Sequence, residues 1–149
     1  FEVHRQLDPR AIEKAAQMSI PEIFEQRGEP EFRAGETRVI ARVLKDGGIV
    51  LATGGGAFVN VETRALIKTE ALSVWLKAEA DILFERVSRR SNRPLLKTAN
   101  PRATLEKLIA DRYPIYAEAD VTVLSREVPQ DVVAGDVIDA VLGFLKRQD

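Results

Sequence analysis

The sequence predicts an α/β fold, a parallel sheet with helices on both faces. Two observations carry this prediction. Short apolar runs recur along the chain, at Ile49-Val50-Leu51-Ala52, Leu72-Ser73-Val74-Trp75-Leu76 and Val121-Thr122-Val123-Leu124. Stretches with helical caps and stops separate them, and apolar strands separated by helices indicate a parallel sheet covered on both faces. Crossovers in such sheets are right-handed, and ligands bind beyond the carboxyl ends of the strands. Candidate chemistry is therefore sought at that edge.

The elements follow in order. Residues Phe1 to Leu7 alternate weakly and allow at most one short strand. Ser19-Ile20-Pro21-Glu22 reads as a capping box, opening a short helix that Gly28 stops. A longer helix runs from about Pro30 to Lys45, with Phe32, Val39, Ile40, Val43 and Leu44 on one face and Gly47 past its end. Asn60 caps the next helix, to about Lys68. Another covers about Ala78 to Arg89. Residues 90 to 100 read as loop. Asn100-Pro101 starts a further helix with a cap and a proline at its first position. Pro129 leads into a last helix whose Val133, Val137, Val141 and Leu145 share a face. There is no internal repeat or linker, and 1–149 reads as a single domain.

Composition narrows the function. The 149 residues are 45% hydrophobic and 30% charged, with a net charge of −1. That is a globular balance with no general pull toward nucleic acid or anionic membrane. There is no cysteine and one histidine, His4. Thiolate metal sites, cysteine nucleophiles and a Ser-His-Asp triad are thereby excluded or disfavoured. No apolar run spans a bilayer and no signal peptide is evident, so the expected location is cytoplasmic.

The first apolar run leads into Thr53-Gly54-Gly55-Gly56-Ala57-Phe58. Three glycines allow a sharp turn and let a ligand approach the backbone. A flexible turn is the plain alternative; position at the end of a buried parallel strand favours a site. The spacing is not GxGxxG, since Val59 stands at the last glycine position. Nor is there a Walker A loop: the Lys-Thr pairs, Lys68-Thr69 and Lys97-Thr98, follow Ile67 and Leu96.

Arginines supply the other cues. Arg33 and Glu36 lie three apart on the long helix and can pair. Glu36 falls within the apolar stripe, four residues from Phe32 and Ile40, where a lone charge is costly. It reads equally as half of a structural ion pair or of a site. Arg112 continues the inner face of Leu105, Leu108 and Ile109. It either satisfies helix-end carbonyls or presents a planar fork to a ligand carboxylate. The segment from Arg86 through Arg89, Arg90 and Arg93 to Leu96 concentrates cations beside a loop. A solvated face is one reading and nucleic-acid contact a weaker one, given few aromatics for stacking. A lid that neutralises a transferring phosphoryl group is the third.

Taken together, Ser19-Ile20-Pro21-Glu22-Ile23-Phe24, Glu31-Phe32-Arg33 with Glu36, Gly54-Gly55-Gly56, Arg93-Pro94-Leu95-Leu96 and Arg112-Tyr113-Pro114-Ile115-Tyr116 resemble, in order and spacing, the shikimate kinase family. The match runs from about Ile12 to the C-terminus. The resemblance implies a three-layer α/β/α kinase fold and phosphorylation of the shikimate 3-hydroxyl in aromatic amino-acid biosynthesis, using ATP and Mg2+. It implies a monomer that takes shikimate and ATP, with no nucleic-acid or membrane partner. By the same resemblance, Arg33 and Arg112 grip the shikimate carboxylate and Glu36 orients Arg33. Gly54, Gly55 and Gly56 form the glycine site, with the amides of Gly55 and Gly56 offered to the ring. Phe24 and Phe32 wall the pocket. Arg93, on a lid at about 90–100, is the catalytic cation at the phosphates; Arg89 lies against adenine and Arg126 near the nucleotide. No metal ligand is assigned.

Family members also carry a first strand, a phosphate loop with its Lys and Ser/Thr, and a second strand leading to an Asp-x-Asp segment. Here the second acidic position falls on Pro9, with Asp8 one residue away. The first strand belongs mid-sheet, between the strand before the triple glycine and the Leu72–Leu76 strand. Three accounts follow: an incomplete sequence, which is the favoured expectation, replacement by Phe1–Leu7, or another chain filling the gap. The alternative function is a non-catalytic shikimate-binding fragment or module without the ATP site.

Overall fold

The computed structural model describes residues 3–6, 9–89 and 99–149, with side chains from residue 10 onward. Its contacts cluster into two compact units, Phe1–Ala71 and Leu72–Asp149.

In the first unit, β1 (Val3–Gln6) pairs in parallel with β2 (Ile49–Ala52), in the register Val3↔Ile49 to Gln6↔Ala52. The short strand expected within Phe1–Leu7 thus forms and covers one edge of β2. Between them lie α1 (Pro9–Ala16) and α2 (Ile20–Lys45). The sequence reading gave no helix over Pro9–Ala16; the signal was there, a proline at the first helical position. Ser19 Oγ accepts from the Glu22 amide at 3.3 Å, half of the expected capping box. Gly28, at φ 81° and ψ 172°, breaks the helical path where the stop was expected, so α2 is two helices meeting at a kink. Ile12, Ile23, Phe32 and Val39 form the core, with Ala11, Ala16, Met18, Ile20 and Val43 packed around it. Ile40 is fully buried as well. The apolar stripe read from the sequence therefore buries against α1, and each fully buried aliphatic adds roughly 1.5–3 kcal/mol.

After β2 come α3 (Gly55–Val59) and α4 (Val61–Glu70). The triple glycine was expected as a sharp turn. Instead Gly54 caps α3 at φ −69°, and Gly55 and Gly56 form its first turn. None of the three has a positive φ, so conformational freedom is not why glycine stands there. Asn60 caps α4 as expected, its Oδ1 accepting from the Thr63 amide at 3.1 Å. Arg64 Nη1 donates to the carbonyls of Phe58 and Val59 at 3.2 and 3.3 Å, tying the end of α3 to α4.

In the second unit, β3 (Val74–Lys77) pairs in parallel with β4 (Val121–Leu124). β3 begins and ends slightly later than the Leu72–Leu76 reading. Around these strands lie α5 (Ala80–Ser88), α6 (Pro101–Tyr116) and α7 (Gln130–Gln148). Asn100 Oδ1 accepts from the Ala103 amide at 3.2 Å, the expected cap of α6. Val121 and Val123 are buried on one face of β4 while Thr122 and Leu124 are exposed. Trp75 of β3 meets Tyr113 of α6 edge-on at 4.9 Å and Tyr116 at 5.8 Å. Tyr113 also donates its hydroxyl to the buried Ala78 carbonyl. Helices and parallel strands alternate in both units, as the α/β reading required.

Candidate functional site

Arg33 lies at the centre of the predicted cluster in the first unit. Its Nη1 donates to Glu36 Oε1 at 2.8 Å, the (i, i+3) pair expected from the spacing. Glu36 is 6% exposed. A buried carboxylate needs a partner, and the guanidinium supplies it. The Nε edge of Arg33 lies 3.5 Å from Glu29 Oε1, a carboxylate largely in solvent. The aliphatic core stripe positions the pair, since Phe32 and Val39 pin that face of α2 inward.

The guanidinium of Arg33 lies against Gly56. A Cβ built on Gly56 would fall 2.4 Å from Nη2 and 2.9 Å from both Cζ and Nη1. Close approach, not turn geometry, is what requires glycine at that position. The first turn of α3, which contains Gly56, has backbone amides with no intrahelical partner. Phe32 packs under the cation, its ring centroid 5.1 Å from Cζ. Phe24 and Phe32 rings lie 4.8 Å apart, Phe24 half out of the protein and Phe32 in the core. Five predicted residues, Phe24, Phe32, Arg33, Glu36 and Gly56, thus come together, with Gly54 and Gly55 adjoining.

Two residues at this cluster escaped the sequence reading. Thr37 Oγ1 donates to the Arg33 carbonyl at 2.8 Å and lies 2.6 Å from Thr63 Oγ1. Threonines one turn after an arginine and three after a cap are common, and only tertiary packing pairs them.

The remaining predicted residues belong to the second unit. Arg112 is half buried on the face of Leu105, Leu108 and Ile109. Among the described residues no hydrogen bond or ion pair engages its guanidinium. Its neighbour Tyr113 fixes this stretch of α6 by the bond to Ala78. Arg89 and Arg126 line one open groove with Glu85, Arg86, Glu127, Val128 and Pro129. Arg89 pairs with Glu85, and Arg126 Nη2 with Asp136 Oδ2 at 2.6 Å. Arg86 holds the groove together, donating to Ser125 Oγ at 2.9 Å and to the Arg126 carbonyl at 3.1 Å. Arg93 and most of the predicted lid lie outside the described residues.

The sequence holds no GxxxxGK[ST] loop, and among the described residues no three acidic, histidine or cysteine side chains converge. The described residues form neither a triphosphate cradle nor a magnesium site. Also among the described residues, no helix is long and apolar enough to cross a membrane.

Known proteins converge on one family. A family model described as shikimate kinase matches residues 7–142. A shikimate kinase from Rhodopseudomonas palustris is 55% identical over 134 residues, covering 90% of this chain and 66% of that protein. One from Mesorhizobium japonicum is 56% identical over 129 residues, covering 87% and 64%. The chain thus spans about two thirds of the length of these curated relatives. Among solved structures, a shikimate kinase from Acinetobacter baumannii in complex with shikimate superposes with a TM-score of 0.76 at 33% identity, covering 91% of this chain and 76% of that one. The Aquifex aeolicus shikimate kinase gives 0.71 at 27% identity, covering 95% and 82%. The matched span includes the Arg33–Glu36 pair, the glycine helix and α6, and the chain belongs to the shikimate kinase family.

Proposed function

We propose that the protein phosphorylates the 3-hydroxyl of shikimate with ATP, and that this chain supplies the acceptor pocket. The observation that carries the reading is the Arg33 guanidinium held on the backbone at Gly56 by a buried Glu36. An arginine so fixed offers a planar fork to a carboxylate with little left to order on binding. Arg112, half buried on α6 and without a partner among the described residues, takes the carboxylate role that the family resemblance implies. Gly55 and Gly56 present amides to the ring hydroxyls, and Phe24 and Phe32 form an apolar wall.

ATP supplies the phosphoryl group, with Mg2+ as its usual companion in the family. The residues described here do not build that half of the site. What the chain contributes on that side is cationic: Arg89 and Arg126 at the groove, and Arg93 by family position as the cation that stabilises charge on the transferring group. The reading takes the protein as a cytoplasmic monomer. Its test is ATP-dependent formation of phosphorylated shikimate by the full-length protein. Turnover supports the kinase; a folded protein with no turnover contradicts it.

A further inference from the structure

Behind the Arg33–Gly56 contact lies a polar chain that the Glu36 pair does not account for. Thr37, one turn past Arg33 on α2, donates to the Arg33 carbonyl at 2.8 Å. A hydroxyl has one proton and two acceptor pairs, so the 2.6 Å bond between Thr37 and Thr63 is donated by Thr63. The 3.4 Å approach of Thr63 Oγ1 to Asn60 Oδ1 is then a weak contact. Asn60 Oδ1 instead holds the Thr63 amide at 3.1 Å. Thr63 is fully buried, and its hydroxyl therefore needs this partner. Asn60 directly follows α3, whose first turn contains Gly56. The chain closes a loop: Arg33, Thr37, Thr63, Asn60, α3 and back to Gly56 under the Arg33 guanidinium.

We propose that the Thr37–Thr63 hydrogen bond is a positioning device for the carboxylate fork. It sets the distance between α2 and α4, and through it the placement of Arg33 over the glycine helix. Neither threonine touches substrate; both act through Arg33. A helix shift of a few tenths of an ångström moves the guanidinium relative to the amides of α3, and a bidentate contact is sensitive to such shifts. The inference rests on the reading that Arg33 receives the shikimate carboxylate. A purely structural pair would also be satisfied and buried, so the deciding readout is carboxylate dependence and not stability.

The experiment is calorimetry on the full-length protein with two ligands, shikimate and its methyl ester, which keeps the ring and loses the charge. Thr37→Val and Thr63→Val keep shape and remove the hydroxyl. Each is expected to weaken shikimate binding about tenfold while changing ester affinity less than about twofold, and the double variant to be no worse than either single one. Thr37→Ser restores wild-type affinity. If Thr63→Val does not fold, the half-buried Thr37→Val carries the test alone. Unchanged shikimate affinity in Thr37→Val, or equal loss for both ligands, overturns the proposal. Arg33→Ala separates the two levels. If it leaves shikimate affinity unchanged, the pocket reading fails; if it abolishes affinity while Thr37→Val does not, only the positioning inference fails.

Discussion

The guanidinium of Arg33 occupies the volume in which a side chain on Gly56 would begin, with Nη2 2.4 Å from that position. The obstructing atoms are the far end of a flexible side chain. Gly56→Ala is therefore expected to fold, alanine suiting a helix better than glycine, but at some cost in stability where the displaced guanidinium loosens its bond to the buried Glu36. The cost falls on Arg33, which must swing away. Shikimate affinity should drop at least about tenfold, the scale of one lost charge-assisted contact. Gly54 has φ −69° and nothing within 4 Å of its would-be Cβ, so Gly54→Ala meets no steric obstacle. A thermal melt and a titration on both variants check the contrast.

Arg33 has two carboxylate partners of unequal weight. Glu36 is buried at 2.8 Å, and Glu29 is solvent-exposed at 3.5 Å. Removing one member of a buried pair costs about 3–5 kcal/mol, whereas an exposed pair contributes about 0–1 kcal/mol. Arg33 retains some solvent contact, so Glu36→Ala should destabilise by about 3 kcal/mol. Glu29→Gln should shift stability by less than about 1 kcal/mol. Urea melts of the two variants measure the difference, and equal effects would place the buried member of the pair wrongly.

Tyr113 connects α6 to the end of β3. Burial pushes its hydroxyl pKa above the usual tyrosine value, and neighbouring Tyr116 adds to the shift. The unfolded chain then loses this proton first, near pH 10. Stability from Tyr113 is complete below that pH and is lost as pH rises through the higher folded value. Tyr113→Phe should therefore flatten the alkaline fall of the unfolding free energy. At neutral pH it should cost about 1–3 kcal/mol, because the buried Ala78 carbonyl loses its donor. Denaturant melts from pH 7 to 11 follow both effects.

Much of this was legible in the sequence because the signals are local. Ser19, Asn60 and Asn100 cap the helices predicted for them, and the stripe of Phe32, Val39 and Ile40 is the buried one. Arg33 and Glu36 pair because helical spacing brings them within reach. Of the two uses expected for the triple glycine, a sharp turn and close approach to the backbone, only the second applies at Gly56, and the approaching group is a side chain over twenty residues away. The Thr37–Thr63 bond spans 26 residues and has no local signature. Helix α1 was missed because its proline was read only as a poor match to an acidic position. In the second unit Arg112 lies on its predicted face, whereas Leu76 and Leu124, in strands expected to be covered on both faces, and Leu145 are exposed; that Arg112 serves a carboxylate is a matter of ligand chemistry that helical periodicity does not encode.

The proposed pocket depends on Arg33 receiving a carboxylate, with Arg112 assigned the same ligand by family resemblance alone. Calorimetric titration of shikimate into the full-length protein and into Arg33→Ala and Arg112→Ala tests it most directly. Each charge-assisted contact contributes about 1.5–3 kcal/mol, so each variant should bind at least about tenfold more weakly while still melting cooperatively. Wild-type affinity in both folded variants would contradict it.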